Sequence, residues 1–211
     1  MNINKLWCED QFPATPSSLA EALDKLVECD ALALRLLSDK QCKKLVVEAD
    51  HLDYRPAVPV VGMPGSEVFQ DFMLCMNFPD SSPFLQMGKG ISNLLKLANN
   101  HSSTKPLPGS FCFNDFIVQD YSDNSEGMSP HRDHIRYINL VALVLLEGEA
   151  DFSVCEDRSG KSSKVIQARP GDVILMKAPG FCGEDSRPFH QVRNIKGRRL
   201  IVGLRQDSYN D

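Results

Sequence analysis

Ser129-Pro130-His131-Arg132-Asp133-His134, with the apolar run Ile138 to Leu146 behind it, is the stretch from which the fold of this 211-residue chain is read. His131 and Asp133 stand two apart, a spacing that on an extended strand turns an imidazole and a carboxylate to one face. A further histidine arrives in Arg187-Pro188-Phe189-His190-Gln191-Val192, again in a strand-like setting. Two imidazoles and one carboxylate, with coordination positions left open, are the donor set that suits ferrous iron. A His-x-Asp pair alone is a weak signal, equally at home in a surface turn. The strand context, the distant histidine and the arginines that follow it carry the metal reading.

Working outward from that stretch, short apolar runs alternate with turn signals from Phe111 onward. The runs are Phe111–Tyr121, Ile138–Leu146, Asp151–Cys155, Ser163–Ala168, Asp172–Met176, Phe189–Val192 and Arg199–Arg205. Gly and Pro mark the breaks, as at Arg169-Pro170-Gly171, Ala178-Pro179-Gly180 and Lys196-Gly197. So many strands in so short a length predict an all-β sandwich or barrel-like jelly roll over 111–211. Upstream, Ser18-Leu19-Ala20-Glu21 has capping-box form and opens a helix with an apolar stripe at Leu19, Leu23, Leu26 and Val27. Ala31 to Leu37 alternates like a strand, and Ser38 starts a second helix with Cys42, Leu45, Val46 and Ala49 inward. Residues 56–83 read as Pro- and Gly-rich loops around one strand, Val68 to Met76, and Ile91 to Leu97 reads as helical. The expected class is α+β. Residues 1–110 form a helical and loop layer of the same domain, packed on the β core.

A second His-x-Asp, His51-Leu52-Asp53, tests the argument. It follows a helix instead of lying between strands, and its possible third donor, His101, sits in a polar stretch with no arginine close behind. His51 is read as a helix-terminal histidine.

Composition limits the rest. The 42% hydrophobic and 24% charged content is that of an ordinary globular chain. The start, Met1-Asn2-Ile3-Asn4-Lys5, has no apolar signal core, so a cytoplasmic protein with no membrane contact is expected. Seven scattered cysteines without a Cys-x-x-Cys pair argue against a disulfide framework or structural zinc, and most are expected to be buried. The net charge of −5 does not attract polyanions. Locally, however, Ser186 to Arg205 holds six cations and no acid. Nothing in the sequence fixes an oligomeric state.

Those cations have a pattern. In Arg199-Leu200-Ile201-Val202-Gly203-Leu204-Arg205 the even positions make an apolar face, and Arg199, Ile201, Gly203 and Arg205 make the other. An arginine at each end of one strand face suits a ligand with a carboxylate at each end, since guanidinium grips carboxylate bidentately. Arg198 would face away as a surface charge. On the first β run, Phe113, Ile117, Gln119 and Tyr121 share a face, which places Gln119 and Tyr121 just ahead of the His-x-Asp turn.

With these residues in place, 111–206 resembles the Fe(II)/2-oxoglutarate-dependent dioxygenases, and within them the AlkB-like group. The resemblance rests on Gln119-Asp120-Tyr121, His131-Arg132-Asp133, Gly171-Asp172-Val173-Ile174-Leu175-Met176, His190, and Arg199 through Arg205. It implies a double-stranded β-helix (jelly roll) catalytic core over 111–211, in which His131, Asp133 and His190 hold Fe(II). It implies that Arg199, assisted by Tyr121, pairs with the distal carboxylate of 2-oxoglutarate, and that Arg205 and Gln119 contact the carboxylate beside the keto group. Such enzymes use O2 to decarboxylate 2-oxoglutarate to succinate and oxidise a substrate. Departures are Ile135, where demethylases of the group use an acid on the base, and Gln119 in place of the more usual Asn. With no basic, aromatic lid in the first 110 residues, a small-molecule or amino-acid-like substrate is expected rather than nucleic acid. The competing readings are an oxidative demethylase of nucleic acid or protein, and a non-catalytic jelly-roll module that holds a metal. Arg132, His134, Arg136 and the 56–83 loops are candidate substrate contacts.

Overall fold

The computed structural model describes Trp7 and residues 11–209; Met1–Lys5 and Cys8 lie outside the described residues. Its elements in chain order are α1 (Pro16–Val27), β1 (Ala31–Arg35), α2 (Asp39–Ala49), β2 (Arg55–Pro56), β3 (Val60–Val61), β4 (Val68–Asp71), β5 (Met73–Cys75) and α3 (Pro83–His101). They continue with β6 (Asp115–Tyr121), β7 (Gly127–His131), β8 (Tyr137–Cys155), β9 (Lys164–Val165), β10 (Asp172–Lys177) and β11 (Phe189–Asp207).

Two strands of 19 residues, β8 and β11, organise the sheets. The first half of β8 pairs with β10 and with the second half of β11, inside the order β1-β10-β8-β11-β6-β5-β2. The second half of β8 pairs with the first half of β11, which in turn carries β7 and then β4 and β3. Both long strands thus pass from one sheet to the other, and the result is a double-stranded β-helix with helices on one face. The fold is α+β, as the sequence led us to expect.

Alternation decides which side chain goes where. Leu140, Ala142, Val144, Leu146, Val173, Leu175, Leu200, Val202 and Leu204 face the helices and pack with Leu19, Leu23, Leu26, Leu45 and Leu94. Val141, Leu145, Ile174, Met176 and Ile201 face the inner side, between the sheets. Strands covered on both faces read as continuous apolar runs, which is why Ile138 to Leu146 looks so hydrophobic. Burying each Leu or Val contributes on the order of 2 kcal/mol.

Several element boundaries differ from expectation, each for a local reason. Helix α1 begins a turn early: Thr15 is the N-cap, Pro16 sits in the first turn, and Ser18 is the reciprocal partner of the capping box. Helix α3 starts at Pro83, with Ser82 as cap, so the proline taken for loop chemistry is a helix opener and His101 is the helix's last residue. The Val68 to Met76 strand breaks at Phe72 into β4 and β5. Runs 138–146 and 151–155 are one strand, as are 189–192 and 199–205, because the polar Gly-containing breaks are bulges and not turns. Strand β7 has no strand signature in the sequence, since Gly127-Met128-Ser129-Pro130-His131 has the composition of a turn. Phe113 lies ahead of β6 and packs against Phe111 on the helix side, its ring centroid 5.0 Å away, instead of sharing the face of Gln119 and Tyr121. Of the described cysteines, all free, Cys42 and Cys75 are buried and Cys182 is exposed. No helix among the described residues is long and apolar enough to cross a membrane.

Gly148 marks the crossing of β8. Its φ is +80°, and a Cβ there would lie 2.1 Å from the Arg198 carbonyl oxygen and 2.8 Å from Arg199 Cα. Gly148→Ala is therefore expected to destabilise the protein by about 2–3 kcal/mol, since both the left-handed conformation and the backbone clash oppose it. Chemical denaturation checks this; an unchanged midpoint would mean β11 has room to move.

Candidate metal and co-substrate site

The metal reading rests on register. His131, the last residue of β7, lies directly across from His190 on β11, and their ring centroids are 4.1 Å apart. Asp133 follows two residues after the strand ends. The ligand atoms of His131, Asp133 and His190 all fall within 4.8 Å of one another. Both imidazoles are buried, and Asp133 is partly so. His131 Nδ1 lies 2.8 Å from the Ser129 carbonyl oxygen and His190 Nδ1 3.3 Å from that of Pro188. A carbonyl only accepts, so each Nδ1 carries the proton and each Nε2 presents its lone pair. Burial, followed by repulsion from His190, pushes the His131 pKa down to about 4. Burial works to raise Asp133, but His190, His131, Arg205 and Arg187 together outweigh it and hold the carboxyl below its usual range. Two buried imidazoles whose Nδ1 atoms face carbonyls, beside an ionised carboxylate, are what a divalent ion binds, and an open facial arrangement of this kind fits Fe(II).

The two-histidine, one-aspartate set opens on a narrow cavity of about 70 Å³, lined by Ile117, Gln119, Tyr121, Leu143, Gly203 and Arg205 among others. At roughly 10–15 Å³ per water that is room for about five waters, the scale of a small diacid. A Cβ on Gly203 would stand 2.8 Å from Ile117 Cγ2, so glycine is needed there for the wall to close.

Arg199 is the most informative side chain. It is 2% exposed, lies across from Tyr121 in register and hydrogen-bonds to it, yet its Nε and Nη1 are buried with no acceptor. Among the described residues no carboxylate pairs with it. Burial raises Tyr121 to about 12, so its phenol stays protonated and serves as a donor. An uncompensated buried guanidinium is costly, and an anion is the group that would satisfy it. This is the observation that fits the distal carboxylate of 2-oxoglutarate.

The other arginines are sorted differently. Arg198 is fixed on the helix side by Asp120 (Nη2–Oδ2 2.7 Å) and Asp50 (Nη1–Oδ1 2.6 Å), so it is a structural ion pair and not a free surface charge. Arg205 lines the cavity but gives Nε and Nη2 to Asp115 Oδ1 at 2.8 and 2.6 Å and lies over the Tyr137 ring. Arg136 is held by Tyr137 and Asp207, and His134 accepts from the Arg136 amide. Arg132 stacks on Phe189. His51 and His101 are exposed at helix ends, and the only His/Asp metal constellation among the described residues is 131/133/190. Two rim residues escaped the sequence reading: Arg158, in an Asp-Arg-Ser-Gly turn with no pattern to single it out, and Arg187, visible only as one of six cations.

No protein-family model matches the chain. No curated protein matches it in sequence. Among solved structures it is similar to a Pseudomonas putida prolyl-4-hydroxylase (TM-score 0.60, 15% identity, 90% of this chain and 98% of that one). It is also similar to an oxidoreductase of the 2OG-Fe(II) oxygenase family from Burkholderia pseudomallei (TM-score 0.60, 13% identity, 91% of each chain). A third is a Trichoplax adhaerens prolyl hydroxylase in complex with a hypoxia inducible factor oxygen degradation domain peptide fragment (TM-score 0.62, 11% identity, 92% and 91%). At these identities the likeness establishes the shared jelly-roll fold.

The low pKa of His131 has a consequence for stability. The unfolded histidine, near 6.5, binds a proton that the folded metal-free protein does not take up until about pH 4. Stability therefore falls as pH drops through that window. In metal-free protein the melting temperature should decline from pH 6.5 toward pH 4, and His131→Gln should flatten that slope. An NMR titration placing the His131 midpoint at or above 6.5 would refute the assignment.

Proposed function

We propose that this protein is a ferrous-iron, 2-oxoglutarate-dependent oxygenase acting on a small-molecule or amino-acid-like substrate. The observation that carries the reading is the buried Arg199 guanidinium, two of its nitrogens without acceptors, joined through Tyr121 to a cavity that ends at His131, Asp133 and His190. The three ligands would hold Fe(II). Arg199 and the Tyr121 hydroxyl would take the distal carboxylate of 2-oxoglutarate, and Gln119 with Arg205 would face the carboxylate beside the keto group. Bound there, the iron and 2-oxoglutarate supply oxidation of a C–H bond by O2, one oxygen going to the substrate and one to succinate as CO2 leaves.

The chain's own part is placement. Arg199 offers donors fixed by burial and by Tyr121, so little rotamer freedom is lost when a carboxylate arrives. The Ser129 and Pro188 carbonyls hold both ring tautomers. Ile117, Leu143, Phe152 and Ile201 wall the cavity with carbon and keep bulk water from the reacting centre. Solved structures with the same fold include hydroxylases, which supports hydroxylation as the outcome. The six-residue step from Arg199 to Arg205 would serve 2-oxoglutarate equally well in a demethylase. The net charge of −5 weighs against a nucleic-acid substrate.

With Fe(II), O2 and 2-oxoglutarate, the wild type should release succinate even without its primary substrate. Arg199→Gln should weaken 2-oxoglutarate about 100-fold, the scale of losing a buried charge-assisted pair. In the Mn(II) form, 2-oxoglutarate at 100 times its Kd should add about 2.7 kcal/mol of stability, absent in the variant. Wild-type protein that neither binds 2-oxoglutarate nor forms succinate would end the proposal.

A further inference from the structure

The rim of the metal site carries positive charge that neither the fold nor the proposed co-substrate uses. Phe189, the residue before His190, has the Arg132 Cζ 4.2 Å from its ring centroid and the Arg158 Cζ 5.6 Å away. Arg187, two residues before that ring, is half-buried, and its Nε is buried with no acceptor. Among the described residues none of these three guanidiniums forms an ion pair. Glu67 feels Arg158, but it is the Glu67 backbone carbonyl that accepts from Arg158 Nη1, at 3.4 Å. The rim also reaches the metal ligands electrically: Arg187 helps hold down the carboxyl of Asp133, and Arg158 helps lower His131.

A cluster of arginines is usually a solvated face, and three features argue against that here. Two of the side chains, though exposed, converge on one ring, that of Phe189. The third has a desolvated donor. The charge balance also fails to close. Fe(II), Asp133, the 2-oxoglutarate dianion and Arg199 together are neutral, and Arg205 is neutralised by Asp115. The three rim cations remain, in a chain that is acidic overall.

Resting on the oxygenase reading above, we infer that the primary substrate is a small carboxylic acid whose carboxylate is received by Arg187, with Arg158 and Arg132 flanking it. Bidentate guanidinium–carboxylate pairing satisfies the Arg187 Nε and fixes the substrate's orientation relative to the iron. The body of the substrate is apolar. Glu67, which touches Arg158, belongs to the segment joining β3 to β4, and this hairpin exposes the Val60, Val61, Met63 and Phe69 side chains. Arg187 and Arg158 act on substrate position and take no part in the oxidation itself.

Benzoate and its neutral isostere benzamide are the probes. Protein loaded with Zn(II) and saturated with 2-oxoglutarate, so that Arg199 is already occupied, is titrated with each while the arginine Nε–H signals are followed by NMR. Benzoate should shift the Arg187 and Arg158 signals, and benzamide should not. Arg187→Gln should weaken benzoate about tenfold while leaving 2-oxoglutarate affinity unchanged, as expected for one charge-assisted pair. Arg158→Gln, an exposed substitution that does not threaten folding, should weaken it two- to threefold. Equal binding of benzoate and benzamide, or unaltered benzoate affinity in both variants, overturns the inference. Failure of 2-oxoglutarate to bind the wild type is a separate result that counts against the oxygenase reading. The rim is then read by titrating Arg199→Gln protein with benzoate.

Discussion

Antiparallel pairing of β8 with β11 is the constraint on which the site depends. His190 and Arg199 lie on the same strand, nine residues apart, and a straight strand would carry them about 30 Å from one another. A five-carbon diacid could not bridge that. The register shifts between Arg193 and Lys196, and again between Lys196 and Leu200, bend β11 as it passes between sheets. Asn194 and Gly197 take positive φ, 54° and 67°, at the same bend. β8 makes the matching turn at Gly148. The outcome is that Tyr121, hydrogen-bonded to Arg199, lines the same small cavity as both histidines. Bulges that would weaken an ordinary ladder are here the device that brings ligand and guanidinium together.

Charge is distributed along that strand with a purpose that neighbouring residues make plain. Arg198 points to the helix side and is fully compensated by Asp120 and Asp50. Arg199 points inward and is left with Nε and Nη1 unsatisfied, while burial pulls its pKa down. Arg205 points inward too, and Asp115 compensates it. Breaking a buried ion pair by deleting one partner typically costs 3–5 kcal/mol. Of these three arginines on the strand only Arg199 carries a deficit of that kind, which supports it as the proposed carboxylate receptor, with the other two as scaffold. Stability given up in the free state returns as affinity when an anion binds.

How much of this was legible in the sequence follows from the range of each signal. The two-sided character of 199–205 was readable because strand alternation is a short-range rule; His131, Asp133 and His190 stood out as a donor set, although Asp133 lies past the end of β7 and not on one strand face with His131 as the spacing suggested. Arg199 and Gly203 could be assigned to one face from period two alone. What required the fold was partnership: nothing local tells Arg205, which has Asp115, from Arg199, which has no acid. Strand β7 was illegible for a related reason. Met128, Ser129 and Pro130 have no strand propensity, and the segment is a strand because β4 and β11 flank it. Helix α3 was half-read because Pro83 is a breaker inside a helix and a favoured residue at its start.

The division of labour among the three metal ligands bears on whether the ion is needed for folding. His131 and His190 are cross-strand partners, so the sheet itself sets the distance between the imidazoles, and the Phe152 ring, 5.7 Å from His190, packs beside them. Their rings are oriented by carbonyls two residues upstream, that of Ser129 on β7 and that of Pro188 just ahead of β11. Asp133 alone lies beyond the end of β7. Two donors are therefore preorganised by hydrogen bonds the protein forms for its own stability, and only the carboxylate has freedom to adjust to the ion's radius. Small metallodomains that fold only with their metal lack such a frame. Here the large core on the helix side is built without these three residues, so an ion held by them would add to that frame rather than create it.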